Sequence, residues 1–108
     1  MLPALEGFAA ATLGALSEQD LVATSADLSR LELTVLGSVE LRAVLTDTSL
    51  TGAQRAAVSR DILSGKVTPT VVALCAYAAQ YAPAQDVPGQ WGDMAYFAQV
   101  LRESGTAE

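Results

Sequence analysis

The side chains that could support catalysis in this chain are few and scattered. The sequence has no histidine, the commonest general base and metal ligand. Its one cysteine, Cys75, lies among small aliphatic residues and has no base beside it in the sequence. A lone cysteine forms neither an internal disulfide nor a thiolate zinc site. We therefore expect a buried structural thiol, no catalytic residue, no metal and no cofactor.

Other polar residues have the types found in functional sites but not the spacing that such sites require. The segment Ser64–Thr68 resembles the end of a phosphate-binding loop, but Arg60 and Val67 stand where that motif needs a glycine and a hydroxyl residue. Gly65 and Lys66 instead suit a helix end, where glycine adopts the left-handed conformation and lysine faces the negative end of the dipole. The carboxylates fall on outward helix faces and helix starts, where we expect them to be solvated; these are Glu6, Glu18, Asp20, Asp27, Glu32 and Glu40.

Composition narrows the class of partner. The chain has 108 residues with 12 acidic and 6 basic side chains, a net charge of −6, which is the wrong sign for binding nucleic acid. A hydrophobic share of 51% excludes intrinsic disorder, and the length suits one domain. There is no cationic amphipathic face and no cationic leader with an apolar stretch. We expect a soluble, cytoplasmic protein with no segment inserted in a membrane.

Capping signals divide the chain into six helices, and no stretch has the alternation of a strand. The predicted helices run from Pro3 to about Ala15, from Ser17 to a left-handed Gly37, from Ser38 to the turn at 46–49, from the Thr51 and Gln54 capping box to Gly65, from the Thr68–Pro69 start to Ala82, and from Asp86 and Pro88 onward. On the outward faces we place Asp27, Arg30 and Glu32 of the second helix and Arg55, Arg60 and Asp61 of the fourth. The prediction is an all-α, compact six-helix bundle over residues 1–104, with 105–108 as a frayed tail.

The distribution of charge is the most informative feature. No ionised side chain occurs from Gly7 to Ser17 or from Val67 to Gln85, so the first and fifth helices are apolar nearly all round. Such a helix is either central to the core or exposes an apolar strip that something else covers. The spacing leaves both interpretations open. A groove between the two helices would suit a partner helix read at i, i+3, i+4 and i+7.

The order of these segments resembles the N-terminal domain of the δ subunit of F-type ATP synthases, the oligomycin-sensitivity-conferring protein of mitochondria. The first-helix pattern of Phe8, Ala9, Ala11 and Leu13 is similar to the opening signature of that family. Residues 27–45 are similar to its second and third helices, and residues 53–69 to its fourth helix, turn and fifth helix. The likeness covers roughly residues 5–102.

The resemblance implies a non-catalytic connector of the stator, or peripheral stalk, which would lie on the catalytic head of the ATP synthase. The N-terminal helix of an α subunit would bind between the first and fifth helices, and the complex would be peripheral on the inner face of a bacterial cell membrane. In the full-length family the b subunit of the stalk is a second partner. By the resemblance one wall of the groove would be Leu5, Phe8, Ala9, Ala11, Thr12 and Leu13. Helical spacing predicts Leu74, Cys75, Ala78 and Tyr81 for the other wall.

The chain departs from the family pattern in three places. Gln80 and Tyr81 stand near the family's glycine–arginine pair, and Thr48 stands where a proline often follows the third helix. The family's C-terminal domain has no counterpart in the sequence, which fits either an excised domain or a shortened homologue.

Two other functions compete with the stator interpretation. A free-standing adaptor could dock a different amphipathic helix in the same groove. An all-helical enzyme would need Arg30, Arg42, Arg55 and Arg60 to converge on an anionic metabolite, which nothing in their spacing requires. An exposed groove could also pair with itself and give a dimer.

Overall fold

The helices begin where side chains can cap them. In this computed structural model, which describes residues 1–106, the hydroxyl oxygens of Ser17, Ser38, Thr51 and Thr68 accept the backbone N–H three residues later. The six helices are α1 (Pro3–Gly14), α2 (Glu18–Gly37), α3 (Val39–Leu45), α4 (Gly52–Leu63), α5 (Pro69–Tyr81) and α6 (Val87–Thr106), with a short 3₁₀ turn at Ala84–Asp86 before α6. No strand occurs within residues 1–106. The fold is the predicted all-α bundle.

Four of the predicted helix boundaries are confirmed, three by their cap residues and one by its backbone conformation. The Gln54 side chain accepts from the Thr51 N–H at 2.8 Å while Thr51 Oγ1 accepts from the Gln54 N–H at 3.1 Å, a complete capping box. Pro69 occupies the first turn of α5 after Thr68. Ser17 accepts from the Asp20 N–H, as predicted. Gly65 has a φ of +79°, so the turn after α4 needs the residue that enters the left-handed region without strain.

The predicted left-handed Gly37 is wrong. Among the described residues, Gly65 is the one glycine with positive φ, and α2 ends through Ser38 with φ −121° and ψ 108°. That extended residue closes α2 and also caps α3, because its Oγ accepts from the Leu41 N–H. A direct helix–helix corner of this kind needs no left-handed residue.

The backbone of α6 is helical to Thr106, so residues 105 and 106 of the predicted tail continue the helix. The part of the frayed-tail prediction that concerns positions 107 and 108 lies outside the described residues.

One core joins the helices. It contains buried residues of all six, with Leu28, Leu74, Val87, Trp91 and Met94 at 1% exposure or less. Trp91 of α6 donates its indole N–H to the Cys75 carbonyl oxygen of α5 at 3.2 Å, so the largest core side chain is also hydrogen-bonded. The Cα radius of gyration is 13.2 Å, equal to the value of about 13 Å expected for this length.

Two charged side chains predicted to face solvent are buried instead. Asp27 is 7% exposed, and its Oδ2 accepts from the Thr68 N–H at 3.1 Å while its Oδ1 accepts from Arg30. Arg55 is 8% exposed and donates to three carbonyl oxygens. Both predictions failed because each side chain has a partner far along the chain, Thr68 for Asp27 and Ala79 for Arg55, about which helical spacing gives no information. A buried charge is tolerated when several hydrogen bonds satisfy it, and these bonds join separate segments of the chain.

The ties of Arg55 position α4 and α5. Its side chain donates to Ala79 O at 3.3 Å, Asp47 O at 3.3 Å and Leu50 O at 2.7 Å. It thereby joins the end of α5 to the loop before α4. Next to Arg55 the backbones of α4 and α5 approach so closely that a Cβ atom on Gly52 would overlap the carbonyl oxygen of Gln80. These contacts fix α5 against α4, on the side of α5 that does not face α1.

Candidate functional site

The exposed seam between α1 and α5 carries a row of three aromatic rings, which we call the aromatic ladder: Phe8, Tyr77 and Tyr81. Phe8 and Tyr77 are stacked, with ring centroids 4.3 Å apart and planes within 6°. Tyr77 and Tyr81 are tilted by 49° with centroids 4.6 Å apart. Phe8 and Tyr77 are half-buried, and Tyr81 is 60% exposed. The exposure of the rings therefore increases along the ladder, from half-buried Phe8 and Tyr77 to exposed Tyr81.

The two helices that carry the ladder run antiparallel. Phe8, in the middle of α1, stacks on Tyr77, in the second half of α5. Leu16 just after α1 and Thr70 at the start of α5 line one cavity. These two contacts are eight residues of α1 apart, about 12 Å at 1.5 Å per residue.

Several exposed side chains of α1 and α5 beside the ladder are small and uncharged. Ala4, Ala11 and Ala15 are exposed and share the strip of α1 that contains Phe8, at spacings of three and four residues. On α5, exposed Ala73 precedes Tyr77 by four residues. Small side chains leave the backbone open to close approach. The surface combines an aromatic ridge with a flat alanine floor, and we call it the α1–α5 face.

The structure divides the predicted groove residues into two groups. Phe8, Ala11, Thr12 and Tyr81 are exposed or half-buried and lie at the surface. The others are 2% exposed or less and belong to the core: Leu5, Ala9, Leu13, Leu74, Cys75 and Ala78. The prediction that those six line an open groove is corrected, because the two helices bury these residues in the core that they share. The sequence left core and groove open as alternatives, and in the structure each of the two helices has one buried side and one exposed side.

Tyr77 is the surface residue that the sequence analysis missed. It follows Ala73 and precedes Tyr81 by four residues, so the three share one strip of α5. The predicted wall used Leu74 and Ala78, which are one residue farther along the same helix and point inward. Aromatic residues at i and i+4 in a helix without charges were the signal that could have identified it.

The side chains that could take part in chemistry have structural roles instead. Burial raises the pKa of the Cys75 thiol, so it is neutral and unreactive at physiological pH. Arg42 Nη1 donates to the carbonyl oxygens of Val35, at 2.8 Å, and of Leu36 at the end of α2. Arg55 is bound as described, and Arg30 is bonded to Asp27. Arg60 is exposed on α4, so the four arginines do not form one cluster.

A concave region of about 260 Å³ lies between α2, α3 and α4. Aliphatic side chains line it, and Arg30 and Lys66 stand among them. Its volume is below the roughly 300–1,000 Å³ of small-molecule sites. Within residues 1–106 no group of three carboxylate or thiol side chains could hold a metal ion. None of the helices in that range is long and apolar enough to cross a membrane.

Comparisons with known proteins do not assign the chain to a family. No family model matches it, and no curated protein and no solved structure is significantly similar.

Proposed function

We propose that this domain is a non-catalytic connector that binds an amphipathic helix of another protein along the α1–α5 face. The observation that carries the proposal is the aromatic ladder, exposed on the two helices that lack charged side chains along the seam. Aromatic rings supply a large apolar contact at low entropic cost, and they dominate the energetics of many interfaces. A partner helix lying between α1 and α5 would cover these rings.

The chemistry of the face sets what the partner must present. The alanines leave room for large apolar side chains at i, i+3, i+4 and i+7 of the partner, which would pack beside the rings. Burial contributes about 25 cal/mol per Å², less the cost of ordering the helix. Neither Gly7–Ser17 nor Val67–Gln85 contains an ionised side chain, so the contacts of the partner with these two segments should be apolar, while Arg60 of α4 lines one concave region with Ala73 at the edge of the face.

For the identity of the partner we infer the N-terminal helix of an ATP synthase α subunit. Two separate lines support it: the resemblance of residues 5–102 to the δ subunit family, and the exposed ladder on the helix pair that this family uses. The domain would then hold the peripheral stalk to the catalytic head against rotor torque, on the inner face of a bacterial membrane. In a full-length subunit, a C-terminal domain would join the b subunit.

The second candidate is a free-standing adaptor that docks a different amphipathic helix. The same surface supports it, and only the identity of the partner separates the two functions.

Calorimetric titration with the α-subunit N-terminal peptide, about twenty residues long, tests the proposal. We expect binding at micromolar Kd or tighter with negative ΔCp, and a loss of at least about tenfold in Tyr81→Ser. The matched control is Tyr96→Ser, which removes an exposed tyrosine of α6. Tyr96 lies away from the α1–α5 face, because it lines a cavity with Glu6 and Glu6 is about 200° around α1 from Phe8.

The outcomes separate the two functions. If a folded protein gives no heat with the α peptide at several temperatures, the stator assignment is wrong. If binding occurs and Tyr81→Ser does not weaken it relative to Tyr96→Ser, the α1–α5 face is the wrong surface. Phe8→Asp is a poorer probe because Phe8 is half-buried and stacked on Tyr77, so this change would also perturb folding.

A further inference from the structure

The concave region between α2, α3 and α4 reaches the core of the bundle. Two core residues, Leu31 and Leu63, form part of its lining. Half-buried Leu41, Ile62 and Val67 form the rest of its apolar surface. We call this region of about 260 Å³ the α2–α4 hollow. An apolar concave surface of this kind can accept a large apolar side chain of another molecule.

Positive charge collects around the α2–α4 hollow, although the chain as a whole is acidic. Arg30 and Lys66 line the hollow itself. Arg60 lines an adjoining concave region, and Val67 belongs to the linings of both. These three are half of the six basic residues in a chain whose net charge is −6. The local charge therefore has the opposite sign to that of the molecule.

The carboxylates nearby do not cancel this charge. Asp27 is the one acidic residue in the two linings, and its oxygens already accept from Arg30 and from the Thr68 N–H. Glu40 and Asp61 are neighbours of lining residues in the sequence, but they line neither region. With the Asp27 and Arg30 charges taken as a pair, two positive charges remain.

The remaining cations are available to another molecule. Lys66 and Arg60 are exposed, and among the described residues neither has an ion pair or a side-chain hydrogen bond. The Arg30 side chain is 74% exposed and bonds Asp27 through Nη2, so other N–H groups of its guanidinium stay free. A carboxylate at the edge of the hollow would meet donors on two sides.

These features select an occupant that is both apolar and acidic. The lining favours a large apolar side chain, and the cations favour carboxylates next to it. The volume is below that of most small-molecule sites, which fits a single side chain better than a whole metabolite. A second copy of this chain would bring its own net charge of −6 against an acidic surface, whereas a short segment brings only the carboxylates that meet the cations.

We propose that the α2–α4 hollow binds an acidic peptide segment of another protein. One large apolar side chain of the segment would pack among the lining residues, and its flanking carboxylates would pair with Lys66 and Arg30. Arg60 would attract the segment from the adjoining region. No residue of α1 or α5 lines the hollow, so the inference does not depend on the function proposed above.

Three synthetic peptides with blocked ends, each about five residues long, test the proposal. The first has a central phenylalanine between glutamates, the second has lysines in place of the glutamates, and the third has alanine in place of the phenylalanine. Amide shifts of the ¹⁵N-labelled protein follow binding. We expect saturable shifts with the first peptide that map to the residues around the hollow, and a Kd at least about tenfold weaker for the other two.

Matched variants separate insertion into the hollow from general electrostatic attraction. Thr34 is an exposed residue of the lining, so Thr34→Phe should fill the hollow and weaken the first peptide at least about tenfold. Ser29→Phe, about 140° around α2 from Thr34, should not. Lys66→Glu should also weaken binding at least about tenfold, whereas Arg102→Glu changes the net charge equally outside the hollow and should not. Far-UV circular dichroism checks that each variant is folded.

Several results would contradict the proposal. These are equal binding of the glutamate and lysine peptides, equal effects within either pair of folded variants, and no saturable shift with the first peptide. Shifts confined to α1 and α5 would place the peptide on the α1–α5 face instead. A dimer in sedimentation equilibrium that Thr34→Phe dissociates and Ser29→Phe does not would overturn the proposal in favour of a second copy in the hollow.

Discussion

At the scale of single residues, stability depends on a few polar side chains that bond across long distances in the chain. Arg55 binds carbonyl oxygens of residues 5, 8 and 24 positions away, and Asp27 accepts from a backbone N–H 41 positions away. A buried donor or acceptor that loses its partner keeps its full desolvation cost. These two residues should therefore be far less tolerant of change than the other charged residues on their helices.

Replacing Arg55 by methionine should lower the free energy of unfolding by about 2 kcal/mol, because three carbonyl oxygens lose a charged donor while the side-chain volume is roughly kept. Urea denaturation followed by circular dichroism measures the change. Arg60→Met is the control, since Arg60 is exposed on the same helix. Equal stability of the two variants would show that the carbonyl bonds of Arg55 contribute nothing net.

Asp47 gives a prediction about pH. The hydroxyl of Ser49 donates to Asp47 Oδ1 at 2.6 Å and its N–H donates at 2.9 Å, and these bonds, with a smaller effect of Arg55, lower the pKa of the carboxyl below its ordinary 3.8. A depressed folded-state pKa stabilises the fold fully above the unfolded-state pKa, and this contribution disappears as pH falls through the folded-state value. Ser49→Ala should raise the Asp47 pKa toward 3.8, measured by NMR titration of its side-chain carboxyl. An unchanged pKa would assign the shift to the backbone bond and Arg55 alone.

At the scale of helices, close approach of backbones decides how α5 is held. The N-terminus of α4 lies against the end of α5 at Gly52, where no side chain has room beside Gln80. On its other side α5 meets α1, and the ladder fills the outer edge of that contact. A small change in the α4–α5 contact should therefore displace the α1–α5 face as well.

Gly52→Ala should destabilise the protein by about 1–3 kcal/mol, since the added methyl group overlaps backbone that cannot move without separating α4 from α5. Gly7→Ala is the matched control within a helix: nothing lies within 4 Å of a Cβ at Gly7, and alanine there should stabilise by about 0.5–1 kcal/mol. Thermal unfolding of both variants measures the difference in sign. Stabilisation by Gly52→Ala would contradict the close contact with Gln80.

At the scale of the whole molecule, the single core predicts a single unfolding transition. Buried residues of all six helices belong to one cluster, and Trp91 is bonded to Cys75 across the α5–α6 contact. The fluorescence of Trp91, the only tryptophan in the sequence, reports on this core.

Urea unfolding followed by Trp91 fluorescence and by far-UV circular dichroism should give coincident curves. Two separated curves would mean that part of the bundle unfolds independently, most simply the α2–α6 pair apart from the α4–α5 pair, since these pairs share the most extensive contacts.

Much of the fold and little of the candidate site could be predicted from the sequence. Helix number and most helix starts were predicted correctly because a cap acts over three residues, as between Thr51 and Gln54. The surface of α1 and α5 was harder, since a helix without charged residues does not mark its solvent side. Of the residues predicted for the groove, Phe8 and Tyr81 lie in the ladder, while Leu5 and Leu74 lie in the core.

The amino-acid sequence by itself determined the all-α class, the capped helix starts, the left-handed turn at Gly65 and the absence of charge along α5 and along α1 after Glu6. Only the tertiary structure decided which sides of those helices are buried, that Asp27 and Arg55 lie inside, and that Gly37 is not left-handed. The physical reason is range. Caps and turns depend on neighbours a few residues away, whereas burial and the ladder depend on which helices pack together.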